Sequence, residues 1–112
     1  MPSEPTLVSV SVTGPDPDWL AGHTRDLVEA GLVACGNIVP AVRSIYHWEG
    51  AIEDDREAAV TLHTRADHVA AIIERTNAAH PNDVVQILAA EVVDADPAYR
   101  RWVLEVTAAP GE

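Results

Sequence analysis

The chain has 112 residues, near the commonest size of a single domain, and 47% of them are hydrophobic, as in ordinary globular proteins. Its formal net charge of -11 argues against nucleic acid and acidic membrane surfaces as partners, because like charges repel. One cysteine cannot form an internal disulfide, and no run reaches the roughly 18 apolar residues of a membrane span. The N-terminal residues also lack the features of a secretion signal, so we expect a cytoplasmic protein.

In chain order, the first predicted elements are a strand and a helix. The sequence LVSVSVT at 7–13 alternates apolar and small polar residues, which is typical of a strand. Asp16 and Pro17 have the chemistry of a helix start, as N-cap and first helical residue, and the helix is expected to end near Ala30. Trp19 falls at the start of this helix, where we expect it to be exposed.

The next two elements predict a hairpin that is long for a domain of this size. A strand begins at Leu32 and reaches Trp48, Glu49 and Gly50 have the chemistry of a tight turn, and 51–64 returns as the second arm. An arm of about 11 residues spans roughly 36 Å, whereas the radius of gyration of such a domain is roughly 13 Å. We therefore expect the tip to overhang the sheet and to pack on a neighbouring subunit, since an isolated ribbon is marginal in water.

The hairpin carries aromatic and acidic side chains whose positions follow from the strand pattern. Tyr46 and Trp48 lie on one face of the first arm, because side chains alternate along a strand. The charged cluster at 53–57 is expected to form a bulge or an exposed edge. On the final helix, Tyr99 and Trp102 share a face, and we interpret them as an interface partner for the hairpin aromatics.

The second half of the chain predicts a helix, a strand and a last helix. A helical pattern covers 65–80 and is stopped by Pro81. The apolar run at 84–93 predicts the fourth strand, and Asp96 begins a final helix at 97–107. The order is thus β-α-β-β-α-β followed by an extra helix.

This order of elements indicates the α+β class. The first six elements correspond to the ferredoxin-like, or split βαβ, arrangement with a long central β-hairpin. No linker, repeat or low-complexity segment divides the chain. We therefore predict a single domain over 1–112, with an ordered core at about 7–107.

The hairpin sequence ACGNIVPAVRSIYHWEGAIEDDREA resembles that of the CutA divalent-cation tolerance proteins. The positions that carry the resemblance are Ala34, Cys35, Asn37, Ile38, Pro40, Ser44, Tyr46, Trp48, Gly50, Ile52, Glu53, Glu57, His80, Pro81, Tyr99 and Trp102. The resemblance implies a homotrimer built through the long hairpins and an assembly similar to that of PII signalling proteins. It also implies a role in divalent metal ion tolerance or homeostasis.

The resemblance further implies a ligand site in the clefts between subunits. The residues expected there are Asn37, Ser44, Tyr46, Trp48, Glu53, Glu57, His80, Tyr99 and Trp102. A divalent cation such as copper is the one candidate cofactor, and His80 is its candidate metal ligand. The other two ligand positions proposed for copper-binding relatives correspond to Val12 and Ala79, so we expect weak copper binding here.

Two other functions compete with metal tolerance. A PII-like regulatory trimer would bind a small ligand in the same clefts, and a small enzyme would use His80 and Glu53 as acid and base. No Walker or Rossmann glycine pattern occurs, and no nucleophile–base pair is evident, so we expect a protein that is not an enzyme. Cys35 is expected to be a buried core residue, because metal binding would need an imidazole or second thiol nearby.

Overall fold

The computed structural model describes residues 4–109, and the first three and last three residues of the predicted domain lie outside the described residues. The elements, in chain order, are β1 (Leu7–Gly14), α1 (Pro17–Glu29), β2 (Cys35–Trp48), β3 (Ala51–Arg65), a short 3₁₀ helix (Ala66–His68), α2 (Val69–Ala79), β4 (Ile87–Glu91) and α3 (Pro97–Val106). This order confirms the predicted α+β class and the ferredoxin-like arrangement with an additional C-terminal helix.

The four strands form one antiparallel sheet with the order β2-β3-β1-β4. The central strand β1 pairs with β3 on one side and β4 on the other, and Val10 lies opposite both Leu62 and Ala89. Strands that are distant in the chain therefore lie side by side, as the split βαβ topology requires. The two edges of the sheet are the long strand β2 and the short strand β4.

The hydrophobic core lies between one face of this sheet and the helices α1 and α2. Alternate residues of β1 point into it, because successive side chains of a strand lie on opposite faces. Leu20 and Leu27, seven residues apart on α1, supply the helical side. The buried residues of this core are Val8, Val10, Val12, Leu20, Leu27, Val33, Ala58, Val60, Leu62 and Ile72.

Both predicted helix starts are confirmed by their hydrogen bonds. The Asp16 side chain accepts a hydrogen bond from the backbone N–H of Trp19 at 2.8 Å, and that of Asp96 accepts one from Tyr99 at 3.0 Å. A proline follows each cap. Gly31, with φ of +73°, continues the chain from the end of α1 in a conformation that favours glycine.

Trp19 is not exposed, and the prediction for this residue was wrong. Its ring stacks on His23 with centroids 5.2 Å apart and meets His80 edge-on at 4.8 Å. It also packs against the main core. The helix start therefore lies against the segment that follows α2, and Trp19 fills the space between them.

The start of β2 differs from prediction, whereas the charged cluster takes one of its two predicted forms. β2 begins at Cys35 and not at Leu32, whose carbonyl accepts the Thr64 hydroxyl at 2.5 Å. The bulge lies in β2, where the register shifts between Val39 and Val42. Pro40, which has no N–H to donate, falls inside this interval. The charged cluster at 53–57 is the predicted exposed edge, because β1 covers β3 only from Ala58 onward.

The long hairpin is confirmed and extends beyond the rest of the sheet. The molecule measures 51 × 26 × 22 Å, and its radius of gyration of 15.0 Å exceeds the roughly 13 Å of a compact chain of this size. Ile45 and Ile52 near the tip are 66% and 63% exposed. The hairpin therefore presents apolar side chains that this chain alone does not cover.

A buried polar contact joins the two helices on the core side. His23 Nε2 lies 2.8 Å from Thr76 Oγ1, and both side chains are buried. Burial lowers the pKa of His23 below its ordinary value of 6.5, and the nearby His80 acts in the same direction, whereas Asp26 opposes them. The neutral imidazole is therefore the form that the fold favours.

Gly36→Ala is expected to destabilise the fold by about 1–3 kcal/mol, because overpacking strains a filled core. A Cβ at Gly36 would lie 2.6 Å from Thr24 Cγ2 and 3.0 Å from a methyl carbon of Leu62. The control is Gly22→Ala on α1, where a Cβ meets nothing within 4 Å and helix propensity gains about 0.5–1 kcal/mol. Urea unfolding measures both, and equal stability of Gly36→Ala and its parent would contradict the packing described.

The stability of the fold is expected to fall as the pH drops below about 6.5, where the unfolded chain protonates His23 before the folded chain does. Above that pH both states hold the neutral imidazole, so this contribution is fully present. Unfolding at fixed protein concentration between pH 5 and 8 measures it against His23→Gln, which should show a shallower dependence. His47→Gln, at the exposed tip, is the matched control. Identical pH profiles for His23→Gln and the parent would refute this contribution.

Candidate functional site

A cavity of about 540 Å³ lies between the hairpin and the loop that follows α2. It is open on one side, and its volume falls in the range of small-ligand pockets, roughly 300–1,000 Å³. The residues that line it are Thr13, Ser44, Ile45, Tyr46, His47, Trp48, Glu57, Asn82, Asp83, Val84, Val85 and Gln86. This cavity is the candidate functional site of the chain.

The strand register brings the hairpin side chains of the cavity together. Beyond the bulge, Val42 pairs with Glu57 and Tyr46 pairs with Glu53, so these residues share one face of the ribbon. Ser44 and Trp48 lie on the same face, because they alternate with Tyr46 along β2. The opposite wall is the loop 82–86, which begins after Pro81.

Tyr46 is held in a fixed position on this wall. Its hydroxyl donates a hydrogen bond of 2.5 Å to Asp55, which lies diagonally across the ribbon. This bond, and the negative charges of Asp55, Glu57 and Glu53 together with some desolvation, raise the pKa of Tyr46 to about 12. The phenol therefore stays protonated at neutral pH.

The charge of the cavity is negative. Glu57 and Asp83 contribute carboxylates from the two opposite walls, and His47 contributes an imidazole. Trp48 and Val84 add apolar surface, with Val84 69% exposed. Such a lining suits a cation, or a small ligand with a positive group beside an apolar one.

The structure brings only some of the predicted site residues together. Four of them, Ser44, Tyr46, Trp48 and Glu57, line the cavity. Glu53 lies opposite Tyr46 in the ladder and is half-buried, but it is not part of the cavity wall. The remaining residues are elsewhere in the chain. They are Asn37, His80, Tyr99 and Trp102.

His80 is buried behind the cavity and supports its loop. Its Nε2 lies 2.8 Å from the carbonyl of Thr13, and its Nδ1 accepts the backbone N–H of Asn82 at 3.1 Å. Both ring nitrogens are thus in hydrogen bonds, with the proton on Nε2. Metal binding by His80 stays a prediction, and it would require one of these bonds to break.

Tyr99 and Trp102 lie at the other end of the sheet. Their rings are 5.7 Å apart, and the Tyr99 hydroxyl contacts His63 and Cys35. Cys35 is half-buried and not a core residue, so that prediction was wrong. Within one chain these aromatic residues cannot meet the hairpin tip, because the tip is 13 residues along β2 from Cys35.

The loop residues of the cavity were not predicted as site residues. The apolar run at 84–93 indicated a strand throughout, whereas β4 covers only Ile87–Glu91. Pro81, Asn82 and Asp83 are turn-forming residues and carried the signal that could have placed a loop there. A turn followed by Val84 would then have indicated the cavity wall that lies opposite the hairpin.

Comparisons with known proteins agree with this fold over nearly the whole chain. The family model described as CutA1 divalent ion tolerance protein matches residues 8–106. The divalent-cation tolerance protein CutA of Pyrococcus horikoshii is 37% identical over 93 residues, which cover 81% of this chain and 90% of that protein. Protein CutA of Mus musculus is 36% identical over 96 residues, which cover 86% of this chain.

The chain spans 54% to 67% of the length of the vertebrate relatives it matches. Relatives named as chloroplastic in Arabidopsis thaliana and periplasmic in Archaeoglobus fulgidus show that the compartment varies among these proteins. The crystal structure of the divalent cation tolerance protein CutA1 of Thermus thermophilus has a TM-score of 0.88 at 32% identity. That match covers 91% of this chain and 99% of the other. The chain belongs to the CutA1 divalent ion tolerance protein family.

Proposed function

We propose that the chain acts in divalent-cation tolerance, which is the role that the names of its bacterial and archaeal relatives describe for them. The family match over residues 8–106 carries this proposal. The acidic cavity supports it, since Glu57 and Asp83 both line it and carboxylate oxygens are ligands for hard cations. The cation, or a small ligand that carries it, binds between the hairpin and the loop 82–86.

The proposed function has no catalytic step. The candidate acid–base pair is Glu53 with His80, and His80 is buried with both nitrogens in hydrogen bonds. A PII-like small-molecule sensor is the alternative that the assembly suggested, but the relatives are named for ion tolerance, which favours the first function. The chain then acts by binding its ligand.

We propose further that the chain is a homotrimer built through the hairpin. The exposed apolar side chains Ile45 and Ile52 support this, together with Trp48, which is 39% exposed. A neighbouring copy can supply the cover that the ribbon lacks, and α3 presents Tyr99 and Trp102 as an aromatic surface for it. Symmetry would then bring the two separated groups of predicted site residues together between subunits.

The chain lacks two of the three side chains that are proposed to bind copper in copper-binding relatives. Val12 is an apolar residue of the core with no exposed surface, and Ala79 has no donor atom. His80 is the one remaining ligand of that set. We therefore propose that copper, where it binds, binds weakly at these positions.

The proposal also covers the cellular location of the chain and its partners other than the cation. Within residues 4–109, no helix is long and apolar enough to cross a membrane. The net charge of -11 disfavours nucleic acid as a partner. The single cysteine suits a reducing compartment, so we propose that the chain acts in the cytoplasm.

Ile52→Ala is expected to weaken the trimer, because it removes apolar surface that a neighbouring copy buries at the tip. Ile73→Ala on the outer side of α2 is the matched control and should assemble like the parent, since Ile73 lies away from the hairpin. Sedimentation across a dilution series measures dissociation in both variants. Assembly lost by Ile73→Ala and kept by Ile52→Ala would show that the hairpin is not the assembly element.

Expression of the parent chain is expected to raise the copper(II), zinc(II) or cobalt(II) concentration tolerated by a host that lacks its own family member. Glu57→Gln should lose most of that gain, because it removes a carboxylate from the cavity wall. Glu29→Gln, an exposed position on α1, is the matched control and should keep the gain. Unchanged tolerance with the folded parent would contradict the proposed function. Full protection by Glu57→Gln would contradict its place in the cavity.

A further inference from the structure

We propose that Trp19 and His80 are positioning residues of the cavity. Together they fix the loop 82–86 against the end of β1, and in this way they place Asp83 in the cavity wall. Neither Trp19 nor His80 lines the cavity itself. The inference rests on the proposed function in one respect, which is that the cavity takes the cation. It gives His80 a task other than that of the metal ligand found at this position in copper-binding relatives.

One imidazole ring joins two separate parts of the cavity wall. Nε2 of His80 donates to the carbonyl oxygen of Thr13 at 2.8 Å, and Nδ1 accepts the backbone N–H of Asn82 at 3.1 Å. Thr13 lies near the end of β1, Asn82 begins the loop, and both line the cavity. The spacing of these two wall segments is therefore set by a single rigid side chain.

The bond to Asn82 has the connectivity of an Asx turn. In an Asx turn, the side-chain oxygen of Asn or Asp accepts the backbone N–H two residues later. Nδ1 of His80 takes the place of that oxygen, because both atoms are attached to Cγ, and Asn82 is the second residue along the chain. Pro81 between them has a fixed φ. The turn therefore depends on an acceptor atom at this place, and an imidazole is one of the groups that can supply it.

Trp19 packs against the ring of His80 and holds its orientation. The indole meets His80 edge-on with centroids 4.8 Å apart, and it stacks on His23 at 5.2 Å with the planes 18° apart. The backbone N–H of Trp19 is bound to the Asp16 cap, so the indole extends from a fixed helix start. A Cβ at Gly14 would lie 3.1 Å from a ring carbon of Trp19. The indole thus contacts the end of β1 and His80 at the same time.

The loop has a second anchor at Val85, which is half-buried and packs against the main core. Asp83 and Val84 lie between the two anchors and are exposed. Since Asp83 follows Asn82 directly, a shift of Asn82 carries the Asp83 carboxylate with it. The place of this carboxylate in the cavity wall therefore depends on the ring of His80, which holds Asn82.

The burial of the two residues suits a positioning role. His80 is 8% exposed, and Trp19 is half-buried. Both ring nitrogens of His80 are in hydrogen bonds, so the ring offers no free lone pair to an ion. Neither side chain has to be reached from solvent for this role. The role is therefore the same when a neighbouring copy covers the hairpin.

Zinc(II) titration of the purified, assembled protein by calorimetry tests the positioning. Trp19→Leu and His80→Leu should each weaken zinc binding at least about tenfold, as the loss of supporting residues around a metal site does. His80→Asn should bind within about threefold of the parent, because its side-chain oxygen can accept the Asn82 N–H. An amide oxygen is not among the usual zinc ligands. A folded His80→Asn that binds as weakly as His80→Leu would therefore overturn the proposal in favour of a ligand role.

Hydrogen exchange of the Asn82 amide tests the same claim without any ligand, since that N–H is bonded to His80. It should exchange at least about tenfold faster in His80→Leu and in Trp19→Leu than in the parent, and His80→Asn should keep its protection. Equal exchange in the parent and a folded His80→Leu would overturn the proposal. A parent that binds no zinc(II) would contradict the cavity as the cation site, and the exchange rates would still decide the positioning.

Two variants are matched controls. His68→Leu removes a histidine whose Nε2 also lies 2.7 Å from a backbone carbonyl, that of Thr107, and His68 does not line the cavity. Leu27→Val loosens the core on α1 without touching His80. Both should match the parent in zinc binding and in Asn82 exchange while circular dichroism shows that they are folded. Weaker zinc binding by either control would overturn the proposal, because it would assign the loss to stability alone. Trp19→Leu and His80→Asn decide the matter if His80→Leu fails to fold.

Discussion

The β2–β3 ladder is the interaction on which the rest of the structure depends. It pairs residues from Cys35 and His63 at one end to Trp48 and Ala51 at the other, whereas β1 covers only the part of β3 from Ala58 onward. The half that is backed by β1 and the helices is stabilised by the core. The other half has no layer behind it, so its stability depends on what covers it from outside.

The candidate functional site is a consequence of this single ladder. The cavity lies where the unsupported half of the hairpin passes over the loop 82–86, and its charge comes from strand positions that the register places on one face. The Cys35–His63 pair lies at the opposite, supported end.

Local chemistry predicted the fold well, because it depends on neighbours in the chain. Asp16 and Asp96 began helices as expected, and the period of two placed Tyr46 beside Trp48. The errors depended on contacts between distant segments. Trp19 is covered by His80, 61 positions later, and Cys35 meets Tyr99, 64 positions later. No local pattern contains such contacts, and for this reason only part of the cavity and none of the contacts among Cys35, His63 and Tyr99 was foreseen.

The mass of the native protein in solution tests the central claim, that another copy of the chain covers the hairpin. Sedimentation equilibrium of the unmodified protein at micromolar and lower concentrations gives that mass directly. The account predicts three times the chain mass of 12.0 kDa at every concentration down to the detection limit. A single species of 12.0 kDa, with the secondary structure intact, would show that the ribbon stands without a partner and would contradict the account.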